Sequence, residues 1–251
     1  MEAYEISGAI LEWVKDYLIG RTQTVLVNGE RSDTAPVISG IPQGTCLGPL
    51  LFVIYINDLL DDIESDGFLF ADDTKIFRKI TSAGDSVTLQ ADIDRLENWS
   101  KKWLLRFHPD KCHVLSLGKI ENTVHTHRYS ICGREMEHVG EEKDLGVVID
   151  SELSFDEHIS AKVNKANAMV GLIRRAFSYL DPKMFLKLYT AFVRPHLEYA
   201  VAVWSPHLVK HIDLVEKVQM RATKLIDGFG KLTYQERLEK LKLSTFWHIG
   251  D

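Results

Sequence analysis

The chain has 251 residues, 45% hydrophobic and 26% charged, with a formal net charge of −6. That composition suits one large folded domain or two small ones. No apolar run reaches membrane-span length, no basic start precedes an apolar block, and Cys46, Cys112 and Cys132 form no CxxC pair. By these features no membrane span, signal peptide or zinc cluster is expected, and a reducing intracellular compartment, nucleus or cytoplasm, is expected.

The charge is unevenly spread. Residues 1–160 hold 15 Lys+Arg against 28 Asp+Glu, net −13; residues 161–251 hold 15 against 8, net +7. An acidic region can hold metals and a basic one can hold phosphates, so two functional regions are expected.

Ile6 to Ile19 reads as an amphipathic helix with Ile6, Ile10, Trp13, Val14, Tyr17 and Leu18 on one face, stopped by Gly20. Thr24–Val27 reads as a strand, and Asn28-Gly29 signals a tight turn back through Ala35–Ile38. The segment Ser39 to Phe52 then packs three glycines and two prolines ahead of an apolar run. It reads as a glycine-rich loop feeding a buried helix from Gly48 to Leu60, with Pro49 in its first turn. The glycines would let backbone approach a ligand, and a helix N-terminus favours anions. The plain structural reading is a tight turn entering a core helix. Asp58, Asp61 and Asp62 fall at the far end of that helix, as a solvated terminus.

Phe68-Leu-Phe-Ala-Asp-Asp-Thr-Lys-Ile-Phe77 places two adjacent acids between two apolar runs. The runs read as short buried strands and the acids as the tip of a hairpin. Such a pair is either an ordinary turn or a platform for hard divalent cations, which take oxygen ligands. Ser86 to Phe107 reads as a helix ended by Pro109, followed by a strand from Cys112 to Leu117 and another from Leu145 to Asp150. From Phe155 the period is helical: Ile159 to Phe177, then a second helix through Phe185, Tyr189 and Phe192 closed by Pro195, a third from Leu208 to Leu225, and a short one from Tyr234 to Leu243. Phe185, Tyr189 and Phe192 are expected in the core, His207 and His211 as a surface pair, and His125, His127 and Cys132 as ordinary strand and turn residues. Cys46 and Cys112 are expected to be small buried thiols.

In this order, these segments resemble the reverse transcriptases of non-LTR (LINE-like) retrotransposons. Ser39–Phe52 with Tyr55-Ile-Asn-Asp-Leu59 looks like motif B, Phe70-Ala-Asp-Asp73 like motif C, and Phe107-His-Pro-Asp-Lys-Cys112 like motif D. Leu145–Asp150, Val193–Tyr199, Trp204–Pro206 and Arg221–Leu225 look like segments downstream of the polymerase in such elements.

The resemblance implies RNA-templated joining of a primer 3′-hydroxyl to a deoxynucleoside triphosphate, assisted by two Mg²⁺ or Mn²⁺ ions. Asp72 would be a metal ligand and Asp73 its partner, as second ligand or orienting charge. Pro42, Gln43, Gly44 and Gly48 would line the nucleotide and template pocket. Lys111 would be a general acid for the leaving pyrophosphate, or a solvated loop lysine. The partners would be RNA template, DNA primer and dNTP. The family's motif A Asp belongs upstream of the first helix, where this sequence has five residues. The resemblance thus implies an incomplete two-ion site and no polymerisation by this chain alone, unless an upstream polymerase half is supplied. The rival function is a non-catalytic nucleic-acid-binding or interaction protein kept from a retroelement, or a nonfunctional remnant.

The expected fold is α+β: residues 1–118 a partial right-hand polymerase palm, 119–154 a small β connector, and 155–251 a helical thumb-like region. Lys162, Lys165, Arg174, Arg175, Lys183 and Lys187 are either solvated helix faces or contacts to a nucleic-acid backbone.

Overall fold

The computed structural model describes residues 1–38, 40–42, 44–118 and 127–246. Helix and sheet are mixed, and every sheet among these residues has two strands. The chain separates into two compact units: Met1–Cys112 with Asn122–Met136, and His113–Glu121 with Glu137–Asp251.

In the first unit, α1 (Gly8–Leu18) is followed by β1 (Thr22–Gln23), β2 (Leu26–Val27), β3 (Glu30–Arg31) and β4 (Ala35–Pro36). β1 pairs antiparallel with β4, and β2 with β3. Asn28 and Gly29 both have positive φ, as the two-residue loop between Val27 and Glu30 requires. α2 (Leu47–Ile56) leads to the hairpin β5 (Asp66–Phe70) and β6 (Asp73–Phe77). α3 (Ala83–Trp103) begins with a Ser82/Asp85 capping box. Hydrogen bonds from Thr81 and Ser82 hold the Asp85 carboxyl well below the usual carboxylate range.

Two apolar expectations fail here. In α1 only Val14 is buried, while Ile10 and Trp13 are exposed; in α2 Leu50, Val53 and Tyr55 are exposed. Both helices are apolar on more sides than this unit covers. α3 also ends earlier than Pro109 demands, because Leu104 takes a left-handed conformation (φ 58°) and breaks the ladder.

Next come β7 (His113–Leu115), the hairpin β8 (Ser130–Ile131) and β9 (Arg134–Glu135), and β10 (Glu137–Val139). Gln90 on α3 fastens β8 by accepting from the Ser130 N–H and donating to its carbonyl, both at 2.9 Å. β10 runs parallel to β7. That pairing places β7 with the second unit, so compactness groups the chain differently from the three sequence segments.

The second unit continues with β11 (Glu141–Asp144) and β12 (Val147–Asp150), an antiparallel pair. Asp150 then turns the chain into α4 (Asp156–Ala176), its carboxylate accepting from the N–H groups of Glu152, Ser154 and Phe155. α5 (Pro182–Leu188) begins at Asp181, whose side chain caps Lys183 and Met184. The helix does not stop at Pro195. A π turn over Tyr189–Val193 shifts the ladder by one residue, and α6 (Arg194–Glu198) continues with Pro195 in its first turn, where no N–H is needed. The shift leaves Phe185 and Tyr189 buried but turns Phe192 out to solvent.

α7 (Val201–Trp204), α8 (Val209–Ala222) and α9 (Tyr234–Leu241) complete the chain. The core joins Ile159, Val163, Ala166 and Val170 of α4 to Tyr189, Leu197, Trp204, Val215 and Val218. Within it the Tyr189 hydroxyl donates to Gln219 (2.8 Å), and Gln219 donates to the Tyr234 hydroxyl (3.0 Å). His211 is buried and paired with Asp156 at 2.7 Å, not at the surface with His207, which precedes α8. Among the described residues no helix is long and apolar enough to cross a membrane.

Candidate active site

The β5–β6 register sets Phe70 opposite Asp73, leaving Ala71 and Asp72 as a two-residue loop. Ala71 takes φ 52°, a position glycine ordinarily fills in such turns. Asp72 therefore stands at the tip and Asp73 opens the return strand. Both are exposed, and neither has a hydrogen-bond or ion-pair partner among the described residues. The pair offers hard oxygen donors suited to a dication, but no cluster of three or more metal-ligating side chains occurs among the described residues. Two carboxylates are part of a ligand set, not a closed one.

The strands carrying them are not buried. Phe68 (64%), Phe70 (60%) and Phe77 (47%) are exposed on one face, where Phe68 and Phe77 stack at 5.5 Å. The opposite face is half-covered, and a Cβ on Gly67 would stand 3.0 Å from Leu60. The hairpin is thus apolar on both faces and packed on one.

A buried acid holds its base. Asp92 on α3 is fully buried and accepts from the N–H groups of Glu64 (3.0 Å) and Ser65 (2.9 Å), from the Ser65 hydroxyl and from Arg95. Burial pushes its pKa up, but these hydrogen bonds outweigh it and the net shift is downward. The sequence signal was present: Asp92 lies on the apolar stripe between Leu89 and Leu96, where only a partnered acid can sit.

Gln43 lies outside the described residues, as does His125. Gly44 has φ 76° with open space around it, so the loop needs a glycine there. Gly48 is buried, and a Cβ would stand 2.6 Å from the Pro42 carbonyl oxygen. Thr45 ties the two together, donating to Pro42 O (3.0 Å) and accepting from the Gly48 N–H (3.1 Å). Cys46 is exposed rather than buried. Asp58 is not merely solvated, since it accepts from the Trp99 indole at 2.9 Å and so fastens α2 to α3.

Lys111 is exposed in the short helical turn Pro109–Lys111. Beside it opens a cleft of about 610 Å³ with Lys101, Arg106, His108, Asp110 and Arg134 on its walls. Arg134 is neutralised by Asp110 (2.7 Å) and Lys101 by Glu97 (2.5 Å). Burial raises the Cys112 thiol, which removes it as a nucleophile.

A family model described as "Reverse transcriptase (RNA-dependent DNA polymerase)" matches residues 1–165, from before α1 into the middle of α4. The chain belongs to the reverse transcriptase family. It is 27% identical over 230 residues to the RNA-directed DNA polymerase from mobile element jockey of Drosophila melanogaster, covering 86% of this chain and 25% of that protein. The jockey polymerase of Drosophila funebris is 28% identical over 240 residues, 89% of this chain and 25% of that one. The probable RNA-directed DNA polymerase from transposon X-element of Drosophila melanogaster is 25% identical over 245 residues, 92% and 26%. These matches bear out the LINE-like resemblance. The chain spans about a quarter of the length of the curated relatives it matches. No solved structure matches it. The stretch matched by the reverse transcriptase model includes Pro42, Gly44, Gly48, Asp72, Asp73 and Lys111.

Proposed function

We propose that this reverse transcriptase segment carries part of a two-ion nucleotidyl-transfer site of a LINE-like RNA-directed DNA polymerase. The observation that carries the reading is the hairpin, which presents, from a family-matched strand pair, two carboxylates without a partner among the described residues. Bound Mg²⁺ or Mn²⁺ would assist attack of the primer 3′-hydroxyl and stabilise the leaving oxygen. Asp72 would hold an ion, and Asp73 would bind beside it or orient it. Lys111 would give a proton to the leaving pyrophosphate. The loop from Pro42 through Gln43 and Gly44 to Gly48 would border the nucleotide and template. RNA template, DNA primer and dNTP are the partners this reading requires. Residues 1–118 would be the palm part, 119–154 a β connector and 155–251 the thumb-like helices.

Primer extension on an RNA template, with dNTPs and Mg²⁺ or Mn²⁺, tests activity. Metal holding is tested apart from activity by Mn²⁺-induced paramagnetic broadening of the amide signals of Phe70 to Lys75. Broadening in the wild type that disappears in Asp72→Asn supports the reading. Equal broadening in both, or extension indifferent to Asp72→Ala, overturns it.

A further inference from the structure

Two cysteines of the first unit are brought together by the fold, and the polymerase reading uses neither. Cys132 is the first loop residue of the β8–β9 hairpin, with φ 51°, and Gly133 follows at φ 73°. Its N–H donates to Glu97 of α3 at 2.8 Å, which fastens the tip. Cys112 directly follows the Pro109–Lys111 turn, and its thiol donates to the His108 carbonyl at 3.4 Å. The Arg134–Asp110 ion pair, 2.7 Å long, joins the hairpin to that turn. Each cysteine stands two residues from one member of the pair, Cys132 from Arg134 and Cys112 from Asp110. Cys132 also lines the 610 Å³ cleft whose walls include His108, Pro109 and Asp110.

The two thiols differ in access. Cys132 is exposed and Cys112 is half-buried. Burial raises the Cys112 thiol, and the neighbouring Cys132 adds to the rise, so the two sulfurs lie within reach of each other's charge. A solvent oxidant therefore meets Cys132 first. Cys112 is too covered and too little ionised to attack a molecule from solvent. A sulfur held beside it needs no such encounter, because proximity compensates for a small ionised fraction. A thiolate of raised pKa is also the stronger nucleophile once formed.

We propose that Cys132 and Cys112 are a redox modification site that closes to a reversible disulfide, with a peroxide as oxidant. The Cys132 sulfur attacks one peroxide oxygen, the O–O bond breaks, and the departing oxygen leaves as water, giving a sulfenic acid. The Cys112 sulfur then attacks the Cys132 sulfur, the S–O bond breaks, and the second oxygen leaves as water with the Cys112 proton. Two thiols are oxidised by two electrons and one hydrogen peroxide is reduced to two waters. A small dithiol reverses the step by thiol–disulfide exchange, as a transient bond in a reducing compartment requires. The bond would tie the turn that carries Lys111 to the β8–β9 hairpin, where an exposed ion pair now holds it weakly. This chemistry goes beyond the polymerase reading and does not depend on it.

The test treats the full chain with hydrogen peroxide in mildly alkaline buffer, alkylates the remaining thiols and maps the peptides by mass spectrometry without reduction. The expected result is a linked Cys112–Cys132 peptide, an alkylated Cys46, and recovery of all three free thiols with dithiothreitol. Amide exchange of Lys111 and Cys112 is expected to slow on oxidation. In Cys112→Ser the Cys132 sulfenic acid should persist and be trapped by dimedone, and in Cys132→Ser the Cys112 thiol should stay reduced at the same peroxide concentration. Arg134→Ala, which releases the hairpin from the turn, should slow linking several-fold. The proposal is overturned if both thiols stay free, if Cys46 pairs with either, or if disulfides form only between chains. It is also overturned if Cys132 proceeds to the sulfinic acid without linking, or if Arg134→Ala links as fast as the wild type. Linking without primer extension would refute the polymerase reading alone, and extension without linking would refute this one alone.

Discussion

The Tyr199 ring closes over Gly146: its hydroxyl donates to the neighbouring Leu145 carbonyl at 2.7 Å, and a Cβ on Gly146 would stand 3.3 Å from the ring. Gly146 also has φ 85°, so the turn between β11 and β12 needs glycine for conformation and for space. Lys162 holds the same turn from α4. Gly146→Ala is expected to destabilise the fold by about 1–3 kcal/mol, combining left-handed strain with the crowded ring. Tyr199→Phe, which loses one hydrogen bond and keeps the ring, should cost only about 0.5–1.5 kcal/mol. Urea unfolding of the two variants checks the order, and a Gly146→Ala cost below that of Tyr199→Phe would refute it.

Asp92 yields a larger effect from a single carboxylate. Asp92→Ala would strand the N–H groups of Glu64 and Ser65, the Ser65 hydroxyl and one bond of Arg95. Removing one partner of a buried charged network costs about 3–5 kcal/mol. The segment released leads straight into β5, so loss of order at the hairpin is expected along with lower stability. Amide hydrogen exchange of Asp66 to Phe77, compared in wild type and Asp92→Asn, reads this directly. Unchanged protection there would show that Asp92 does not hold the hairpin.

The hairpin was legible because a two-acid tip between apolar runs has few other solutions, and α3 and α4 because their apolar period runs over many turns. What covers an apolar strand was not legible: Phe68 and Phe70 look like core in sequence, yet this chain leaves them exposed. Pro195 misled because a π turn absorbs the missing N–H, and local sequence does not announce one. At Gly48 the atom a Cβ would meet is the Pro42 carbonyl, a close backbone approach that residue spacing does not announce.

His158 makes stability sensitive to mild acid. Its Nδ1 accepts from the Val148 N–H at 3.1 Å, its Nε2 is buried without a partner, and its ring lies beside Trp204. Burial, with the Lys162 charge adding to it, lowers its pKa to about 4. The unfolded chain takes up this proton near pH 6.5 and the folded chain does not, so stability present above pH 6.5 is lost as pH falls toward 4. One such group gives a slope of up to about 1.4 kcal/mol per pH unit. His158→Gln, which keeps an acceptor for Val148, should be less stable at pH 7 and should flatten the slope between pH 6.5 and 4.5. The Asp92 and Asp150 carboxyls, both shifted downward, lose their contributions only below the ordinary Asp range, so the two windows separate. Chemical denaturation at half-unit pH intervals distinguishes them, and an unaltered slope in His158→Gln would assign the effect elsewhere.

Asp72 and Asp73 should behave in the opposite way to Asp92. Both are exposed and neither has a partner among the described residues, so the fold gains nothing from their charge. Asp72→Asn and Asp73→Asn are expected to change unfolding stability by no more than about 0.5 kcal/mol. Ala71→Gly should stabilise the hairpin by up to about 1 kcal/mol, because it removes a Cβ from a residue held at φ 52°. On the proposed metal reading, a cation bound at the tip would be what two adjacent acids, unused by the fold, are for. The decisive comparison therefore sets stability against metal holding in the same variants. Asn at either position should leave the urea midpoint in place while removing Mn²⁺ broadening of the tip amides. A midpoint that falls with either substitution would mean that the pair is structural, and the metal reading of the hairpin would lose its main support.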